Sequence, residues 1–216
     1  QATALEALHE VFARNVSATL SGYLRVLVEF RLISVEQFTY SEFTMSVPTP
    51  TIFTSLTCSP LPGNMILDMN PSIIYPFIDR LLGGGSVKPY HINRPFTLIE
   101  QCLINSIISK LLEQLRETWL AILEITFRIG DMETNPSLMQ IVPPNEPVIL
   151  LSFEVNMGDH SGLVNLCIPY KVIEPVIEKF SQRKWSMFHK ARDDEDSNEI
   201  LDNVGYAEVG VSVILA

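Results

Sequence analysis

Cations are scarce in this chain: 15 Lys and Arg stand against 25 Asp and Glu among 216 residues, a formal charge of −10. That sign repels nucleic-acid phosphates and anionic lipid headgroups alike, so nucleic-acid binding is not expected. Cysteine is scarcer still. Cys58, Cys102 and Cys167 are odd in number and lie at no ligand spacing. This argues against a disulfide framework or a cysteine zinc site and suits buried thiols in a reducing compartment. Long apolar runs are missing too. Ser, Glu, Asn or Pro interrupts each one well short of the roughly 18 residues a membrane-spanning helix needs, and no basic start with an apolar core marks a signal peptide. What is plentiful is core-forming material: 47% of residues are hydrophobic and 19% charged. Such a chain can bury a substantial core and is not a disordered one.

Apolar residues recur at helical steps over residues 4–30, through Leu5, Leu8, Phe12, Val16, Leu20, Tyr23, Leu24 and Leu27, and predict one long amphipathic helix. Residues 32–47 turn β-branched and aromatic, and the prolines from Pro48 to Pro62 punctuate strands. Asn64 to Met69 reads as a strand ending at Asn70-Pro71, where Asn caps and Pro opens a short helix running to the glycines at 83–85. The second half follows the same order. Thr97 caps a long helix through Leu98, Cys102, Leu103, Ile107, Leu111, Leu115 and Trp119 to about Leu123. Strand-like Ile125–Ile129, Val148–Val155 and His160–Cys167 follow, and Pro169 opens a helix. Pro175–Phe180 echoes Pro76–Leu81, and Leu138–Pro143 echoes Phe43–Pro48, so the copies lie about 95–99 residues apart, as in duplicated units. Two halves, about 4–86 and 96–185, each too poor in strands to cover a core alone, predict one shared sheet with helices packed on it. Residues 1–188 then form the domain. The charged run around 190–203 reads as an acidic linker (189–206), and 207–216 reads as the opening strand of a further, truncated domain.

Catalytic and metal constellations are weak. Asp159-His160-Ser161 are neighbours on a turn, whereas a triad needs convergence from separate elements. His9, His91 and His189 have no ligand partners at metal spacing and read as surface or boundary histidines. No catalytic residue, cofactor site or metal site is assigned. The most unusual local feature is Gly83-Gly84-Gly85-Ser86, which Val87-Lys88-Pro89 follows in place of the lysine and helix start a phosphate loop needs. Two readings stay open: a helix C-cap with loose glycines, or a loop that lets a partner approach closely.

At these residues the sequence resembles the middle domain of the FliM family of bacterial flagellar motor switch proteins. The resemblance runs through Phe12-Ala13-Arg14-Asn15, Ser34-Val35-Glu36-Gln37, Thr39-Tyr40-Ser41-Glu42-Phe43, Ile78-Asp79-Arg80-Leu81-Leu82-Gly83-Gly84, Thr134-Asn135-Pro136, Gln140–Glu146 and Leu166–Tyr170. It implies a CheC-like α/β fold with pseudo-two-fold symmetry, in agreement with the repeat. It implies a non-enzymatic scaffold and signalling module of the cytoplasmic rotor ring (C-ring), at the cytoplasmic face of the inner membrane, that helps set the direction of flagellar rotation in chemotaxis. The partners it implies are the middle domain of FliG and neighbouring FliM copies, with FliN and phosphorylated CheY meeting other parts of a longer protein. The family's Gly-Gly-x-Gly loop contacts FliG, which carries onto Gly83, Gly84 and Gly85, with Ser86 in place of the last glycine. Asp79, Arg80 and Arg94 are rim contacts in this reading, and Asn135-Pro136 and Pro144-Asn145-Glu146 shape a nearby surface. The alternative within the same fold is a CheC-type phosphatase of CheY phosphate. Its Asp/Ser-x3-Glu-x2-Asn motif finds only Glu195 and Asn198, with Ala191 at the first position.

Overall fold

The computed structural model describes residues 2–85 and 94–176. The expected acidic linker, the strand-like segment at 207–216, Glu195, Asn198, Ser86, His91 and His189 lie outside the described residues.

The chain opens with helix α1 (Ala2–Leu24), strand β1 (Glu29–Thr39), helix α2 (Tyr40–Ser46), strands β2 (Ile52–Ser59) and β3 (Asn64–Met69) and helix α3 (Pro71–Leu81). It then repeats that order with α4 (Leu98–Trp119), β4 (Thr126–Glu133), a 3-10 turn (Pro136–Leu138), β5 (Pro147–Met157) and β6 (His160–Pro169). Residues 170–176 are helical. All six strands form one sheet in the order β1-β5-β6-β3-β2-β4, and every pairing is antiparallel. Exchanging each strand for its counterpart in the other half (β1 for β4, β2 for β5, β3 for β6) reverses this order onto itself. The expected pseudo-two-fold is therefore present, its axis lying between β3 and β6. Each half also gives its first strand to the other half's hairpin: β1 pairs with β5, and β4 with β2.

α1, α3 and α4 pack on one another on one face of the sheet. There Phe12, Leu111, Leu112 and Leu115 meet Phe30, Leu56, Leu67, Phe153, Val164 and Leu166 of the strands. The opposite face carries a smaller cluster in which Tyr40, Phe43 and Val47, from α2 and the residue after it, cover Phe53, Ile66, Val148, Leu150 and Cys167 with Met139. The Tyr40 hydroxyl donates to the Met139 carbonyl at 2.8 Å, and Tyr40 and Ser41 donate their backbone N–H groups to Glu146 and Pro144. The Asn/Pro-rich turns expected to shape a surface thus hold α2 onto the sheet.

Four sequence expectations are corrected. The first helix stops at Leu24 rather than near residue 30, because Arg25 turns into the left-handed region at φ +53. Ser21 and Ser17 then accept the backbone N–H groups of Val28 and Phe30 at 2.9 and 2.8 Å, stapling the returning strand to the helix; Leu27, assigned to the helical face, is 70% exposed. Residues 40–46 are helix rather than strand, started by a capping box in which Thr39 and Glu42 satisfy each other's backbone N–H. Cys102 is exposed while Cys58 and Cys167 are buried, since the buried stripe of α4 begins only at Ile104. His9 is a core residue, fully buried against Phe12, Trp119 and Phe153. Its place one turn after Leu5 and one before Ala13, both buried, puts it on the apolar face of α1.

One polar group sits beside the pseudo-axis. Asp68 on β3 is opposite Asn165 on β6, accepts from its Nδ2 at 2.9 Å and from the Thr51 hydroxyl at 2.6 Å, and is 2% exposed. Burial pushes its carboxyl up to about 6, against the two hydrogen bonds.

Candidate docking surface at the glycine loop

α3 begins as the sequence predicts. The Asn70 side chain accepts the N–H of Ser72 at 2.9 Å and Pro71 takes the first helical position. The helix ends in a Schellman motif, where the N–H of Gly83 donates to the carbonyl of Arg80 and the N–H of Gly84 donates back to that of Asp79, at 3.1 and 2.8 Å.

Each glycine has its own physical reason. Gly83 holds φ +84, the left-handed conformation that stops the helix. At Gly84 a Cβ would run into the Asp79 carboxylate, and at Gly85 it would come within 3.2 Å of Arg80 Nη1. That nitrogen donates to the Gly84 carbonyl at 3.1 Å, so Arg80 folds back over the loop. Its Nε is buried without a hydrogen-bond partner among the described residues. The C-cap reading applies to Gly83, while Gly84 and Gly85 leave room for this chain's own Asp79 and Arg80 side chains.

Tyr23, Leu24 and Arg25 from the end of α1 face Arg80, Leu81, Gly83 and Gly84 across a cleft of about 420 Å³. Leu82, just before the glycines, is 70% exposed. Leu98 and Ile99, where α4 starts, are also exposed. Arg94 does not project freely. Its two terminal nitrogens grip both oxygens of Glu100 at 2.8 and 2.7 Å, while Glu100 accepts from the backbone N–H and hydroxyl of Thr97. The guanidinium, followed by the Thr97 contacts, holds the Glu100 carboxyl down to about 2. This commitment of Arg94 is invisible to periodicity, because Arg94 lies before the helix that carries Glu100.

Elsewhere, residues 158–159 form the turn between β5 and β6, so Asp159, His160 and Ser161 are turn and strand neighbours as expected. Among the described residues no group of three His, Cys, Asp or Glu side chains is placed to hold a metal ion, and no helix is long and apolar enough to cross a membrane.

What the sequence and fold define together is a duplicated α/β module whose third helix ends in a glycine cap preceded by the exposed Leu82. The family model described as Flagellar motor switch protein FliM matches residues 1–185, and the chain belongs to that family. The FliM of Treponema pallidum is 41% identical over 185 residues, 86% of this chain and 54% of that protein. The chain spans about half the length of the curated relatives it matches. The crystal structure of the FliM middle domain from H. pylori aligns with a TM-score of 0.76 at 36% identity, over 82% of this chain and 96% of that one. A chain in the crystal structure of a FliG-FliM complex from H. pylori aligns with a TM-score of 0.79 at 38% identity, over 82% and 96%.

Proposed function

We propose that this chain is the FliG-binding and ring-forming part of a flagellar motor switch protein, acting without catalysis of its own. In this reading Gly83, Gly84 and Gly85, continued by Ser86, receive the middle domain of FliG, with Asp79 and Arg80 at the rim. The observation that carries it is the tight turn at Gly84 and Gly85. It folds the loop's backbone against Asp79 and Arg80 on a helix end fixed by two backbone hydrogen bonds, so that a partner would meet main chain there. The H. pylori relative crystallised with FliG supports the choice of partner. Neighbouring copies would pack side by side in the cytoplasmic ring, with FliN and phosphorylated CheY engaging other parts of the longer protein. Control of rotation sense then requires that FliG bind two arrangements of the ring unequally, since a partner shifts an equilibrium only by differential affinity.

Calorimetric titration with the FliG middle domain, wild type beside Gly84→Val, tests this. Saturable binding that the folded variant loses is the expected result. The new side chain meets the end of the half-buried Asp79 side chain, and the melting temperature checks that the variant stays folded. Equal affinity would remove the loop from the interface. The phosphatase reading predicts faster loss of phosphate from CheY in the presence of this chain, and the docking reading predicts an unchanged rate.

A further inference from the structure

Helix α1 stops at a residue that is strained there. Arg25 takes φ +53, the left-handed conformation that a helix stop commonly gives to glycine or asparagine, because any other side chain crowds the backbone. α3 meets the same need with Gly83 at φ +84. A positive charge near the end of a helix is favoured by the macrodipole, but a cation within the last helical turn would supply it at an ordinary φ. The dipole therefore explains the charge at position 25 and not its backbone. Strain of this kind clusters where a side chain has a task.

That task is not within the fold. Arg25 is exposed, and among the described residues its guanidinium makes no ion pair or hydrogen bond. It lines the cleft of about 420 Å³ between the ends of α1 and α3, which Arg80 lines from the α3 side. Arg80 is already oriented, donating from Nη1 to the Gly84 carbonyl, while its buried Nε has no partner among the described residues. Asp79 lies against Gly84 but does not line the cleft. In a chain of net charge −10, two cations and no acid face this one recess.

We infer that Arg25 and Arg80 receive a carboxylate side chain of the FliG middle domain in this cleft. The inference rests on the docking role proposed for the glycine loop, since Gly83 and Gly84 line the same cleft, and it adds Arg25 of the α1 end to that surface. A guanidinium offers a planar fork of donors matched to the two oxygens of a carboxylate. An unpaired arginine where glycine would be more stable gives up folding free energy for that contact.

Arg25→Gly separates the two roles, because stability and affinity should not fall together. Glycine suits the left-handed φ, so the variant should melt at or above the wild-type temperature. Its affinity for the FliG middle domain, titrated calorimetrically with the whole chain, should be about tenfold weaker, as for a lost hydrogen bond between charged groups. Arg25→Lys, which keeps the charge without the fork, should lie between the two. Added salt should weaken the wild type more than Arg25→Gly. Replacing the exposed Asp and Glu residues of the FliG domain by lysine in turn identifies the carboxylate: the replacement that weakens binding to the wild type should be rescued by Arg25→Glu. A lowered melting temperature with unchanged affinity in Arg25→Gly would reduce Arg25 to a helix-end charge and overturn the inference, as would the absence of any rescued pair. Absence of FliG binding by the wild-type chain would instead remove the docking role and the inference with it. Binding that Gly84→Val loses and Arg25→Gly keeps in full would remove the inference alone.

Discussion

His9 and Asp68 bring protonation into the core with opposite signs. Burial, only partly offset by the hydrogen bond to the Leu5 carbonyl, lowers the His9 ring from 6.5 to about 4. Between those values the unfolded chain takes up a proton that the folded one refuses, so stability falls as the pH falls through 6.5 toward 4. Asp68 is raised from 3.8 to about 6. In its window the folded chain holds a proton the unfolded one releases, so its contribution rises as the pH falls from 6 toward 3.8. Each shift corresponds to about 3 kcal/mol at the far end of its window, and over the shared range they nearly cancel. Asp68→Asn should therefore gain about 3 kcal/mol over wild type at pH 7 and lose that advantage by about pH 4. His9→Leu should improve on wild type by about the same amount as the pH falls from 7 to 4. Urea titrations at both pH values check this, and parallel profiles for the three proteins would contradict it. At the helix stop, Gly83→Ala places a Cβ in the left-handed region and should cost about 1 kcal/mol in the same assay.

Two helices of different length start with the same device. Thr39 with Glu42 opens the seven-residue α2, and Thr97 with Glu100 opens the 22-residue α4. For the long helix the cap adds to an extensive buried stripe. α2 has only Tyr40 and Phe43 buried, so its cap is a larger share of what holds it. Thr39→Ala should cost about 1 kcal/mol. It should also raise amide exchange within residues 40–46 more than elsewhere, whereas a uniform rise across the sheet would show that α2 does not open separately. This element also shows where the sequence was legible and where it was not. α3 was readable because Asn70 and Pro71 act locally, and β3 because its apolar run ends at that same cap. The capping box at Thr39 was present in the sequence but was overridden by the β-branched and aromatic residues around it. The end of α1 was not readable, since Gly22 lies inside its last turn and no Gly or Pro follows it at the stop, where Arg25 takes the left-handed turn. It depends on Ser21 and Ser17 binding the backbone of Val28 and Phe30 as the chain turns straight back into β1. At the candidate site the glycines stood out by composition. The crowding at Gly84 by Asp79 and the capture of Arg94 by Glu100 depend on side-chain placements that spacing does not encode.

Exchange of the first strands makes the duplication mutually dependent. A hairpin of β2 and β3 with α1 and α3 would lack β5, the partner of β1, and would leave Phe30 and Leu56 without the leucines of α4 that cover them. The converse holds for the second half, which needs β2 beside β4 and α1 beside α4. The hydrogen bond from Asn165 to the buried Asp68 likewise has one member in each half. Neither half should therefore fold alone, although each carries a complete copy of the repeated pattern, because the first strand and long helix of each half pack on the other half. Trp119 provides the readout, being fully buried on α4 with its ring 6.0 Å from that of His9 on α1. A fragment of residues 89–180 contains Trp119 but not Trp185. It should emit at the long wavelength of a solvated indole and melt without a cooperative transition. Adding a fragment of residues 1–88 should shift the emission to shorter wavelength, saturate at one to one and restore a single cooperative transition. A second half that shows buried emission and cooperative melting by itself would mean that strand exchange decorates two independent folding units rather than creating one.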